Sequence, residues 1–152
     1  MTAVAVFALG CGPLAAAALQ AQQAPGTTGL DQAPAGTIAW ELLQQARAVQ
    51  KPSKKFGPVF NARIKDLDRQ SVKLYGFMMP LDQSEKQLRF LLSPFPKYCA
   101  FCMPGGPESL VEVVATTPVK FTWEAIVVSG NMNVLENDIV YYRLTDAQSV
   151  KF

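Results

Sequence analysis

The chain has 152 residues, 49% of them hydrophobic and 17% charged, with a formal charge of +2 and no histidine. That length supports one domain with a real core and is short for two. The near-neutral balance gives no reason to expect a polyanionic partner. The missing histidine removes Ser-His-Asp and Cys-His catalysis within one chain, and with them the imidazole ligand of most metal sites.

No Asp, Glu, Lys or Arg occurs before Leu30, and residues 3–19 are an almost unbroken run of small and apolar side chains. A run of that length followed by Gln-rich and then Pro/Gly/Thr-rich sequence reads as an export signal rather than a membrane span. Ala21 is a small residue at a suitable cleavage point. The expected organisation is a signal peptide over 1–21, a flexible lead-in over 22–36 and one domain over 37–152, in a periplasmic or secreted protein. The alternative is an Ala-rich helix packed on the domain. Cys11, in Ala8-Leu9-Gly10-Cys11, resembles a lipoprotein box with its residues out of order. Lipid on Cys11 is therefore the secondary reading, and membrane contact is expected only through that lipid or the export segment.

Thr37 can cap a helix over 37–49, with Ile38, Leu42, Ala46 and Val49 on one stripe, Trp40 and Leu43 widening it, and Pro52 as its stop. A short strand is expected over 59–64. From Ser71 onward the period is two. Residues 72–78 and 126–132 share one template, apolar, any, apolar, any, Gly, any, Met, and a glycine inside a strand marks a bulge or bend. Further strands are expected over 88–92, 110–115 and 139–144, separated by turn sequence at 82–86, 116–118 and 136–138. About five strands and one N-terminal amphipathic helix predict a mainly β fold, a small barrel like the oligonucleotide/oligosaccharide-binding (OB) fold.

Reactive groups concentrate in Cys99-Ala100-Phe101-Cys102, which runs into Met103-Pro104-Gly105-Gly106-Pro107. Two thiols three positions apart can share a zinc or copper(I) ion or close a disulfide. The thioether of Met103 would favour copper(I), and those of Met78 and Met79 are weaker candidates. Met132 is considered with them, although a methionine at alternating strand positions is ordinarily core filler. Zinc would need further donors, such as Glu108 or Asp82. Thioredoxin-like exchange is disfavoured, because Met-Pro-Gly-Gly-Pro cannot continue the helix that would activate the first thiol. A structural disulfide in an oxidising compartment and a functional thiol site both remain open.

Gly76-Phe77-Met78-Met79-Pro80-Leu81, then Arg89-Phe90-Leu91-Leu92-Ser93, then the cysteine loop, then Leu110-Val111-Glu112-Val113 form an ordered series. Over residues 40–144 it resembles the bacterial periplasmic family catalogued as domain of unknown function 3299. The resemblance implies an exported OB-like barrel with no settled activity. Many relatives carry Cys-x-His and a proline run in this loop, where the present chain has Cys99-x-x-Cys102 and Met103.

The acidic pairs Asp66/Asp68 and Glu136/Asp138 lie in polar turn sequence and read as solvated turns. The amides of Gly105-Gly106 could face an anion, but a rigid turn is the simpler account. Residues 47–73 are basic and carry Phe56 and Phe60. That stretch reads first as a solvated face and second as a contact for an acidic membrane surface or protein partner, and no nucleic-acid partner is expected of an exported protein. Tyr98 and Phe101, with Pro104, Gly105, Gly106 and Pro107, could form a protein-docking tip. The expected function is non-enzymatic binding of a soft metal or an envelope partner, such as a metal-transport system, through the Cys99/Cys102 loop. Its rivals are an interaction module with a structural Cys99-Cys102 disulfide and a thiol redox protein.

Overall fold

The computed structural model describes residues 30, 33–52, 55–96 and 105–151. Five strands close a barrel: β3 (Ser71–Pro80), β4 (Lys86–Ser93), β5 (Val111–Lys120), β6 (Ile126–Val134) and β7 (Tyr142–Val150). Their order around it is β3-β4-β5-β7-β6, with β5 and β7 parallel and every other pair antiparallel. Counted from β3 this is the 1-2-3-5-4 closure of an OB-like barrel, as the strand count predicts.

The repeated glycine template shows how the closure is made. Through Gly76, β3 pairs with β6, and from Phe77 it pairs with β4 instead. A Cβ on Gly76 would stand 2.7 Å from the Ser93 carbonyl oxygen and 3.1 Å from the Trp40 ring. Gly130 lies at the β6–β7 register shift, and a Cβ there would come within 2.7 Å of the Thr145 carbonyl oxygen. Both glycines thus allow backbone contacts that any side chain would block. The methionines two positions on, Met78 and Met132, are buried in the core with Leu74, Phe90, Leu92, Val113 and Leu144.

The expected helix over 37–49 is corrected to a single turn, α1 (Trp40–Leu43), followed by strand β1 (Arg47–Gln50). A continuing helix would offer the Leu43 carbonyl to the N–H of residue 47. That carbonyl instead accepts the Tyr142 hydroxyl at 2.7 Å and the Ala46 N–H at 3.1 Å. Tertiary packing ends the helix where its apolar stripe continues. The expected strand over 59–64 becomes β2 (Phe56–Val59), which pairs with β1, and α2 (Ala62–Lys65). Asn61 starts α2 by accepting the Ile64 N–H at 2.9 Å, an N-cap that an expected strand over 59–64 passes over.

Two boundaries also move. Residues 116–118 lie within β5, because past Ala115 this strand pairs only with β4 and Pro118 sits where one side is free. The last strand begins at Tyr142 rather than residue 139, and Ile139 lies in the loop before it, 89% exposed.

The barrel has two unlike ends. At the near end, β4 finishes and β5 and β7 begin. There Trp40, Leu43, Phe60 and Ile64 close the core. Trp40 also seals the stretch of β3 that β4 leaves unpaired, its indole N–H donating to the Tyr75 carbonyl at 2.7 Å. The far end is formed by the β3–β4 and β5–β6 turns. No described helix covers it, and Trp123 is 58% exposed there. Among the described residues no helix is long and apolar enough to cross a membrane.

Candidate functional site at the near end

The near-end rim is built from the β1–β2 hairpin, the 135–141 loop and the segment that begins β5. Between them lies an open cleft of about 530 Å³, whose walls include Lys51, Lys55, Phe56, Pro107, Glu136, Ile139 and Tyr141. Hairpin and loop are tied together. The Lys51 ammonium donates to the Glu136 carbonyl at 2.8 Å and to Asn137 Oδ1 at 3.2 Å. Its stem runs across Gly57, where a Cβ would stand 2.5 Å from Lys51 Cε. Phe56 and Ile139 project from the two sides, 73% and 89% exposed.

The loop is also anchored to the barrel wall. Glu112 on β5 is 5% exposed and accepts hydrogen bonds from Arg89 on β4 and Arg143 on β7. Arg143 donates in turn to Asp138 at 3.0 Å. Burial alone would raise the Glu112 carboxyl, but its hydrogen bonds and the two guanidinium charges outweigh burial and hold it below its ordinary value of 4.5. Asp138 is also lowered, first by the Ile139 N–H and then by Arg143. Glu112 and Asp138 thus carry their charge near neutrality, and the chain Arg89-Glu112-Arg143-Asp138 holds the loop carrying Ile139. Sequence reasoning passed over this network. Its signal was a lone glutamate inside the apolar run Leu110-Val111-Glu112-Val113.

Below the cleft, the 3₁₀ turn Pro107–Ser109 is pinned by the Gly106 N–H donating to Glu108 Oε1 at 3.0 Å. Gln44 of the plug donates to Ser109 Oγ at 3.1 Å. Burial first, and the Glu108 carboxylate second, push the phenols of Tyr141 and Tyr142 upward, so both remain protonated. Tyr142 uses its proton on the Leu43 carbonyl.

Sequence comparison gives the chain a family. The family model described as a protein of unknown function, DUF3299, matches residues 21–147. The chain belongs to the DUF3299 family. A crystal structure of a DUF3299 family protein from Pseudomonas aeruginosa PAO1 is similar at 24% identity, covering 78% of this chain and 86% of that one with a TM-score of 0.47. No protein of curated function matches significantly.

Within this DUF3299 chain, the expected site residues fall into three groups. Tyr98, Cys99, Phe101, Cys102, Met103 and Pro104 lie outside the described residues, as does Cys11. Gly105, Gly106 and Pro107 stand at the near-end rim, where the 97–104 segment rejoins the barrel, and Pro107 lines the cleft. Glu108 stands with them in the Pro107–Ser109 turn, whereas Met78, Met79 and Asp82 are not brought to that rim. Met78 is 2% exposed within the core, and Met79 is half-buried on β3 opposite Leu91. Asp82 lies at the far end in the β3–β4 turn. Its carboxylate accepts the Ser84 N–H at 2.8 Å and the Gln87 amide at 2.7 Å, and these bonds, the Ser84 backbone first, lower its pKa. Glu108 is the acidic side chain closest in sequence to the cysteine segment. Among the described residues, no three side chains of the types Cys, His, Asp and Glu gather as a metal site would require.

Proposed function

We propose that this DUF3299 chain is an exported, non-enzymatic binding barrel that works at its near end, through the cleft and the Cys99–Cys102 segment that joins β4 to β5 in sequence. The observation that supports it is convergence. The hairpin, the 135–141 loop and the start of β5 meet around one cleft, and β4 ends and β5 begins at the same end, on either side of the cysteine segment in sequence. The Lys51 ties and the Glu112 network hold the two walls in place, and binding to a prearranged surface avoids an ordering cost.

Two ligand classes fit this end. A soft metal ion, copper(I) or zinc, would be held by Cys99, Cys102 and Met103, with Glu108 the nearest described carboxylate in sequence. An envelope protein partner would dock on the cleft and on Tyr98 and Phe101, with Cys99 and Cys102 joined as a structural disulfide. The exposure of Phe56 and Ile139 favours docking, and the thiol pair favours metal.

Metal analysis of protein purified from the periplasm, with thiols counted before and after reduction, separates the two. Stoichiometric metal and two free thiols, both lost in Cys99→Ser/Cys102→Ser, support the metal reading. Met103→Leu should then weaken copper(I) more than zinc. A metal-free disulfide, with the cleft variants rather than the cysteine variants losing a partner, supports docking. Protein that remains in the cytoplasm would overturn the exported reading altogether.

A further inference from the structure

Of the large hydrophobic side chains that stand exposed among the described residues, Val49, Phe56, Val59 and Ile139 belong to the near-end lobe formed by the β1–β2 hairpin and the 135–141 loop. Phe56 and Ile139 are the two most exposed, and they sit on separate tips locked together by Lys51. A protein groove would bury such side chains in matching pockets, whereas a lipid interface accepts projecting apolar groups without a complementary shape.

The charge around them is one-sided. The lobe's two carboxylates are already matched, Glu136 by Lys65 at 3.9 Å and Asp138 by Arg143 at 3.0 Å. Among the described residues Arg47, Lys51 and Lys55 have no carboxylate partner; Lys51 donates to a carbonyl and an amide oxygen instead. The lobe therefore carries three uncompensated cations beside two projecting apolar tips. The far end supplies the control. It too exposes apolar side chains, Leu81 and Trp123, but there three lysines, Lys86, Lys120 and Lys151, stand among as many carboxylates, Asp82, Glu85 and Glu124, and Glu85 pairs with Lys120 at 3.2 Å.

We propose that the near-end lobe seats on a bilayer surface carrying anionic lipid, with Phe56 and Ile139 entering the headgroup region while Arg47, Lys51 and Lys55 face lipid phosphates. Apolar burial and electrostatic attraction add in such a contact, and the cations act only within a Debye length of the surface. This inference rests on the near end being the working surface, but on no role for the thiols. A negative vesicle result therefore leaves the metal and thiol measurements free to decide the function.

The test is co-sedimentation of the protein purified from the periplasm with phosphatidylcholine vesicles, either pure or containing one-third phosphatidylglycerol. Mass spectrometry first establishes that residues 1–21 have been removed, so the apolar export segment adds no binding of its own. The wild type should bind the anionic vesicles, lose them on addition of salt, and fail to bind pure phosphatidylcholine. Arg47→Gln/Lys55→Gln should weaken binding about 30-fold. Phe56→Ser/Ile139→Ser should weaken it about ten-fold. Both should keep the wild-type melting temperature, because all four side chains are exposed. Leu81→Ser/Trp123→Ser at the far end should bind as wild type. Equal binding to both vesicle types, or a loss that follows the far-end variant, overturns the proposal. Retention on immobilised poly-glutamate without vesicle binding also overturns it and gives the lobe to an acidic polypeptide.

Discussion

The two ends of this barrel each carry a tryptophan, and the pair shows how differently the ends are built. Trp40 at the near end is 4% exposed, donates its indole N–H to β3 and packs over Gly76. Trp123 at the far end is 58% exposed and meets Phe121 edge-on, with ring centroids 4.9 Å apart, beside a shallow cleft of about 440 Å³. The near end is closed by a plug and then presents charge and apolar tips outside it. The far end is two turns with an aromatic ledge. Identical chemistry therefore serves structure at one end and display at the other, according to what surrounds it.

The largest expected effect tests that contrast directly. Trp40→Ala should cost about 4 kcal/mol through a lost hydrogen bond and an unfilled cavity, whereas Trp123→Ala should stay within about 0.5 kcal/mol. Chemical denaturation of both variants measures the difference. Equal losses would erase the distinction between plug and ledge.

Next comes the network that holds the near-end loop. Glu112→Gln removes the charge between Arg89 and Arg143, and it should cost about 2 kcal/mol, discounted because the Arg89 side chain is 64% exposed. The same carboxyl sets an acid limit. Its folded pKa lies below the ordinary 4.5, so the unfolded chain takes up the proton first as pH falls. Its stabilisation is full above about 4.5 and is lost as pH drops through the lower folded value. A plot of unfolding free energy against pH should therefore be flatter on the acid side for Glu112→Gln than for wild type. Parallel curves would show that the network contributes nothing to acid stability.

The smallest expected effect has the opposite sign. Arg69, just before β3 at the near end, has φ of 61°, a left-handed conformation, while its N–H donates to the Met132 carbonyl at 2.7 Å. Its side chain is 90% exposed, and among the described residues it pairs only with neighbouring Asp68. Arg69→Gly should relieve the backbone and leave a net gain of about 0.5 kcal/mol after the added freedom of the unfolded chain. A loss would mean that the guanidinium makes a contact worth more than the strain.

Much of the barrel was legible because its strands obey local rules. The period of two from Ser71 and the matched templates around Gly76 and Gly130 placed β3 and β6 and announced the bends that close the sheet. The failures share a cause. Residues 37–49 carry a helical stripe, but the Tyr142 hydroxyl, 99 positions from Leu43, takes the carbonyl that the helix needed. Pro118 looked like punctuation, and became tolerable inside β5 only because β7 stops pairing there. The candidate site divides in the same way. The thiol pair and its stiff flank could be read directly, whereas the cleft, Lys51 as a tie and Glu112 as a bridge depend on segments far apart in the chain.

The sequence alone determined the family, the single mainly β barrel, the glycine bends and the concentration of thiols in one loop, because each is written in neighbouring residues or in a short period. Only the tertiary structure decided where the first helix stops, which end of the barrel is plugged and which cations are left uncompensated. Those outcomes depend on which distant groups meet, and a carbonyl or a carboxylate already satisfied by a distant partner is no longer free for a near one.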